Sequence, residues 1–284
     1  MKTLVMKFGG TSVGGAPAVA QAAAIVQEQA QAWERLVVIV SAMRGVTDAL
    51  IQGARTAASG DGQTYASLVT DLRVKHTLAV AELLSDADER TTLLKTLDAY
   101  LDEFATFCRS VQVLGEVTPR AMDAISSLGE RMNARIVAAR LRQMGLRSEA
   151  VDATELIVTD RRFQQATPLM DLTRARTQAR LLPLLEAGVV PVVTGFMGAT
   201  EDGITTTLGR GGSDYSAAIL GVTLDADEVW TWTDVDGVLT TDPRIVPDAR
   251  VIPVLSYSEV AELAYFGAKI LHPKTISPVV ERGI

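Results

Sequence analysis

The sequence has a single cysteine, Cys108, among its 284 residues. An intrachain disulfide is therefore excluded, and the composition suits a reducing compartment. Cys108 lies in a helical stretch beside Phe104 and Phe107 and reads as a small core residue. Histidine is nearly as scarce: His76 and His272 are the only two, and neither stands in a triad-like setting. His272, followed by Pro273, reads as a helix-start or core residue. No apolar run approaches the ~20 residues of a membrane-spanning helix, and MKTLVMKF meets Gly9 and Gly10 too soon to be a signal peptide. The expectation is a cytoplasmic protein without a membrane partner. Basic residues are in deficit, with a formal net charge of -7, which argues against an extended nucleic-acid surface. Any anionic ligand must then be met by local positive charge, not by the field of the whole molecule. Internal repeats, low-complexity tracts and Pro/Ser-rich linkers are also lacking.

What the chain does have is apolar content of 48% and enough length to bury a large core. Short β-branched runs recur at 3–8, 35–42, 148–153, 188–195 and 227–234. Between them lie Ala- and Leu-rich segments of helical period at 15–32, 46–59, 86–111, 119–144 and 171–187. Strands separated by helices imply crossover units and a mainly parallel sheet covered on both faces. The helical block from about 62 to 145 is too long for one crossover and reads as an inserted layer. Its acidic part, 85–104, reads as a solvated helix face. The glycine-rich turn region at 195–212 is the best candidate for a boundary between two lobes.

Ligands of open α/β sheets bind at the carboxyl ends of the strands, and polar clusters fall there repeatedly. The first is VMKFGGTSVGG, with Lys7, Gly9, Gly10, Thr11 and Ser12. It is neither the common phosphate loop, whose lysine follows the glycines, nor the dinucleotide fingerprint, whose second glycine is replaced by Thr11. Glycines nonetheless let backbone N–H groups approach phosphate oxygens, the hydroxyls add donors, and a helix N-terminus follows. Lys7 would supply a point charge across the same phosphates. The plain alternative is a surface lysine before a turn. SAMRGVTD follows the second strand, with Ser41 and Thr47, and TDVDGVLTTDPR follows the last, with Thr233, Asp234 and Arg244. With LGRGGSDYSAA (208–218), which follows the run at 188–195, four such clusters at equivalent ends point to one shared cleft.

LGRGGSDYSAA carries more information. Ser213 or Asp214 would cap the helix that starts near Tyr215. Capping does not explain Arg210 among three glycines, where a guanidinium is free to grip a carboxylate through two parallel hydrogen bonds. Glu130, in SSLGERMNA, has the spacing of an ordinary exposed helix glutamate, and spacing alone does not single it out.

Six segments taken in order, KFGGTSV, SAMRGVTD, SLGERMNA, GRGGSDYSA, WTDVDGVLTTDPR and FGAKILHP, together resemble the catalytic domain of aspartate kinases, within the amino acid kinase (carbamate kinase-like) family. The resemblance spans nearly the whole chain. It implies a three-layer α/β/α sandwich around a mainly parallel sheet, with an acceptor-binding lobe at 1–200 and an ATP-binding lobe at 201–284. It implies ATP-dependent phosphorylation of the β-carboxylate of L-aspartate, the first step towards lysine, threonine and methionine. By the same resemblance Lys7 contacts phosphate, and Gly9, Gly10, Thr11 and Ser12 form its loop. Ser41, Thr47, Glu130, Arg210 and Ser213 surround aspartate, with Arg210 on the α-carboxylate and Glu130 near the ammonium. Asp214 orients the catalytic lysine, Thr233, Asp234, Arg244 and Lys269 meet the nucleotide, and Lys269 joins Lys7 as a catalytic residue in offsetting charge on the transferred group. Leu239 departs from the family pattern, in which tyrosine is frequent.

The implied chemistry needs no general base, because a carboxylate of pKa ~3.9 is already ionised at pH 7. Position and electrostatic stabilisation carry the transfer, with Mg²⁺ held mainly through the ATP phosphates and no dedicated protein metal site. Three other readings compete. DVDGVL at 234–239 resembles the nucleophile motif of haloacid dehalogenase-like phosphatases, with Asp234 attacking phosphate and Asp236 as acid/base. That motif usually opens its domain, and it leaves the other clusters unexplained. A regulatory or binding subunit that keeps the fold without turnover is a second alternative, and a different acceptor within the family is a third. Aspartate kinases normally continue past this point through a further strand into ligand-binding (ACT) domains, sometimes with homoserine dehydrogenase attached. The expectation is a catalytic domain without them, in a homo-oligomer, dimer favoured.

Overall fold

A computed structural model describes residues 1–242, 245–265 and 273–284. Its strands are β1 (Thr3–Phe8), β2 (Arg35–Val40), β3 (Ser148–Val151), β4 (Val190–Thr194), β5 (Met197–Ala199), β6 (Thr205–Thr207) and β7 (Glu228–Trp232). Five of them form one sheet in the order β3-β4-β2-β1-β7, and every neighbouring pair runs parallel. The sequences TLVMKF and RLVVIV are near-continuous apolar runs because both faces of such a sheet are covered.

Side-chain alternation divides the strands between two cores. Leu4, Met6, Phe8, Val38 and Val40 pack on one face against α1 (Ala16–Gln29), α2 (Val46–Ala58) and α5 (Pro119–Gln143). Outside these helices lie α3 (Gly62–Leu83) and α4 (Ala87–Leu114), which share the same core through Leu72, Val80, Leu97 and Phe104. On the other face Val5, Val37, Ile39 and Val193 meet α6 (Met170–Glu186) and α7 (Gly212–Thr223). The result is three layers, α/β/α. Two later helices, α8 (Tyr257–Tyr265) and α9 (Pro273–Arg282), follow β7, and Val279 packs on Ala218 and Val222 of α7.

Local signals set the helix ends. The Asp86 carboxylate accepts from the Glu89 N–H at 2.8 Å to start α4, and Gly115, at φ +74°, ends it in the left-handed conformation. Thr118 caps α5, with Pro119 in its first turn. The inserted layer at 62–145 is thus three capped helices, and Asp88, Asp102 and Glu103 on α4 are solvated as expected. Cys108 is fully buried and burial pushes its thiol up to about 12, in keeping with a core residue.

Two features differ in detail from the sequence reading. The region 195–212 holds an antiparallel pair, β5 and β6, where only turns were expected. Strands of three residues are too short to produce a periodic signal, and Gly198 interrupts the first. Secondly, β7 pairs with β1, so residues on both sides of the expected lobe boundary belong to one sheet. Among the described residues, no helix is long and apolar enough to cross a membrane.

Candidate active site

Parallel pairing brings the carboxyl ends of β1, β2, β4 and β7 to one edge of the sheet. A cleft of about 300 Å³ opens there, at the small end of ligand-pocket volumes and sized for one small molecule. Lys7 sits at one side of it. Its ammonium is 2.6 Å from the Asp214 carboxylate in the first turn of α7, and only 9% of the lysine side chain is exposed. The N-terminus of α7 favours that carboxylate. Two hydroxyls, Ser41 and Ser213, hydrogen-bond across the cleft at 3.1 Å. This approach requires Gly195, because a Cβ there would stand 2.7 Å from Ser213 Oγ.

Arg210 borders the same cleft from the loop between β6 and α7. Its neighbours Gly209 and Gly211 have φ of +80° and +72°, conformations that glycine adopts without strain. The side chain is exposed and makes no hydrogen bond or ion pair among the described residues. Thr47, in the first turn of α2, completes this rim.

Glu130 reaches the cleft from α5. It is 4% exposed, its Oε2 has no hydrogen-bond partner among the described residues, and burial pushes its carboxyl up to about 8 against the opposing pull of the Ala42 N–H. The helix comes this close because of Gly129, where a Cβ would lie 2.8 Å from Ala42 Cβ. One turn further, Asn133 donates from Nδ2 to the Ser41 carbonyl at 2.6 Å and fixes the turn that carries Ser41. Asn133 was not singled out in the sequence. Its signal is a polar residue three positions after Glu130, on the same stripe of the helix.

An exposed guanidinium, a buried carboxyl, two hydroxyls and a lysine form a cleft complementary to a small zwitterion that carries additional negative charge. The remaining sequence-selected residues lie elsewhere. Thr11, Ser12, Thr233 and Asp234 line a second cleft of about 790 Å³, walled by Phe8, Trp230 and Trp232. Phe8 and Trp232 stack there with centroids 5.9 Å apart. Within this loop Gly9 donates its N–H to the Trp232 carbonyl at 3.2 Å and Ser12 its hydroxyl to the same oxygen at 3.3 Å. Those two donors are therefore engaged by the protein. Gly10 passes close to the Ala42 carbonyl, which a Cβ would meet at 3.5 Å. Leu239 bridges to Val251. Arg244, Lys269 and His272 lie outside the described residues.

A profile of the amino acid kinase family matches residues 2–284. The chain belongs to the amino acid kinase family. Within it, the chain is 34% identical over 99% of its length to an aspartokinase of Schizosaccharomyces pombe, of which it spans 55%. It is 36% identical to a chloroplastic bifunctional aspartokinase/homoserine dehydrogenase of Arabidopsis thaliana, of which it spans 30%. Among solved structures, Escherichia coli aspartokinase III in complex with aspartate and ADP superposes with a TM-score of 0.88 at 33% identity, covering 99% of this chain and 60% of that one. The chain thus spans about half or less of the curated relatives first named. In a member of this family the phosphatase reading of DVDGVL loses its support. Asp234 and Asp236 border the second cleft, whose lining does not include Lys7, and Thr233 donates to Asp234 at 3.0 Å. Among the described residues, no group of three or more His, Cys, Asp or Glu is arranged to hold a metal.

Proposed function

We propose that this chain is the catalytic unit of an aspartate kinase, transferring the γ-phosphoryl group of ATP to the β-carboxylate of L-aspartate. One observation carries the reading: Lys7, Glu130 and Arg210, drawn from three distant parts of the sequence, line a single cleft sized for an amino acid. Similarity across 99% of the chain to a structure that holds aspartate and ADP supports it. Arg210 grips the α-carboxylate through paired N–H donors, and Glu130, once ionised, meets the ammonium. The β-carboxylate is thereby directed towards Lys7. No base takes part, because the nucleophile is already an anion. Lys7 offsets charge on the transferred group, and Asp214 holds the lysine in position.

The nucleotide is assigned to the side of the glycine loop that carries Thr11, Ser12, Thr233 and Asp234, together with Arg244 and Lys269 outside the described residues. The proposed acceptor lobe (1–200) and nucleotide lobe (201–284) share one sheet, and each contributes to both clefts: Arg210 and Ser213 join the acceptor cleft, and Thr11 and Ser12 the nucleotide cleft. Asp234 and Asp236 are hard oxygen donors suited to Mg²⁺ brought by the nucleotide, which would neutralise phosphate charge. The unit is expected to work in a homo-oligomer, and its likeness to a bifunctional aspartokinase/homoserine dehydrogenase supports a dehydrogenase domain joined to it.

Hydroxylamine capture of the acyl phosphate tests the assignment. Product is expected with ATP and aspartate together, and not with glutamate. Equal capture with glutamate, or phosphate release without ATP, overturns it. Arg210→Ala is expected to raise the apparent KM for aspartate about 10- to 100-fold, the effect of losing ~1.5–3 kcal/mol of charge-assisted hydrogen bonding. An unchanged KM removes Arg210 from the acceptor site.

A further inference from the structure

Asp123 lies on α5 two turns before Glu130 and is 1% exposed. Its carboxylate is fully occupied by donors from two other segments. The Gln164 N–H donates to both oxygens, at 3.1 and 2.9 Å. Thr207 donates its N–H to Oδ2 at 3.0 Å and its hydroxyl to Oδ1 at 2.8 Å. A carboxylate is the one side chain that accepts all of these without presenting a donor of its own.

Both segments held by Asp123 lead to Arg210. Thr207 is the last residue of β6, and its carbonyl also accepts from Ala166 at 2.9 Å. Gln164 is held at φ +69°, an uncommon conformation for a residue with a side chain. Its carbonyl lies against Gly209, where a Cβ would be only 3.0 Å away. The two arms therefore close on Gly209, the residue before Arg210. The guanidinium of Arg210 has no partner of its own among the described residues, so its position is set by its backbone. We infer that Asp123 is a positioning residue for the acceptor site: through Thr207 and Gln164 it fixes the backbone of Arg210 relative to Glu130, which α5 also carries. This rests on the reading of the cleft as the acceptor site.

Asp123→Asn keeps the shape but turns an NH₂ group towards one of the donors. Thr207→Val removes a single donor and keeps the fold of β6. Asp86→Ala, which removes the exposed cap of α4, is the control for lost stability without a contact to the loop. The expected result for Asp123→Asn is a rise of about tenfold in the apparent KM for aspartate, with the KM for ATP within about twofold of wild type. Backbone amides of 208–213 should exchange hydrogen faster in the ligand-free protein, while those of β1 and β2 are unchanged. Thr207→Val should move both readouts in the same direction, less far. The control should lower the thermal midpoint and move neither. An aspartate KM unchanged in Asp123→Asn, or raised equally with that for ATP and in the control, overturns the inference. If Asp123→Asn does not fold, an unchanged KM and unchanged exchange in Thr207→Val overturn it. Wild-type protein that turns over no aspartate counts against the proposed reaction alone, and exchange at 208–213 still decides the role of Asp123.

Discussion

Lys7→Ala lowers kcat about 10²- to 10³-fold, equivalent to ~2.7–4 kcal/mol of barrier, and changes the aspartate KM much less. The reason is the charge of the reactants. A carboxylate approaching a phosphate oxygen at about 4 Å is repelled by ~4 kcal/mol at the effective dielectric of a protein surface. The protein as a whole carries a formal net charge of -7 and offers no general relief. The relief must be local, and Lys7 is the described cation whose ammonium is already buried at the cleft, 2.6 Å from Asp214. That pairing holds the charge in place before the substrates arrive, so none of the binding energy is needed to orient it. Lys7→Met keeps the length and packing of the stem and should lose turnover to the same degree, which separates charge from shape. Lys7→Arg should not restore it, because an ideal Cβ at Gly9 would stand 3.4 Å from Nζ and a planar guanidinium would crowd that loop. Turnover within about tenfold of wild type in Lys7→Met would remove the lysine charge from the mechanism.

The parts of this molecule that were legible in the sequence are those whose physics is one-dimensional. Strands β1 and β2 are buried on both faces, so their apolar runs are continuous, and α4 and α5 carry caps that mark their ends. The cluster around Arg210 could be read because glycines on both sides leave the guanidinium nothing to pack on. Three things were not legible. The β5–β6 pair is too short for its period to be seen. The separation of the polar clusters into two clefts depends on which face of the sheet each side chain takes: Lys7 and Phe8 are consecutive, yet they line different clefts. The polar face of α5 was hidden because Asp123, Glu130 and Asn133 each look like ordinary helix residues. Their spacing of seven and three places them on one stripe of a helix that buries Ser126, Ser127 and Gly129 beside them. A polar stripe flanked by small buried residues was the available signal. Burial, which no spacing reveals, is what turns it into a site.

Glu130 carries the other large effect, and it is one of pH. Its folded-state pKa, pushed up to about 8 by burial, lies well above the 4.5 of a free glutamate. In the empty site at pH 7 the group is therefore mostly neutral, whereas an ammonium ligand requires it ionised. Aspartate binding must then release a proton, and the apparent aspartate affinity is expected to rise as pH increases from roughly 6 to 8. The stability of the empty protein runs the opposite way. Between about pH 4.5 and 8 the folded chain holds a proton that the unfolded chain has lost, so this group's contribution falls as pH rises through that window. Glu130→Gln, which keeps the shape and cannot ionise, is expected to flatten the decline and leave the empty protein about 1–2 kcal/mol more stable than wild type near pH 8. The same substitution removes the ammonium partner and should raise the aspartate KM about 100-fold. Saturating aspartate should in turn recover the stability of the wild type at alkaline pH and not that of the variant. Thermal midpoints across this pH range, with and without aspartate, read both effects in one experiment. Parallel declines for wild type and Glu130→Gln, with an aspartate KM indifferent to pH, would mean that the buried carboxyl is a packing residue and that the ammonium is bound elsewhere.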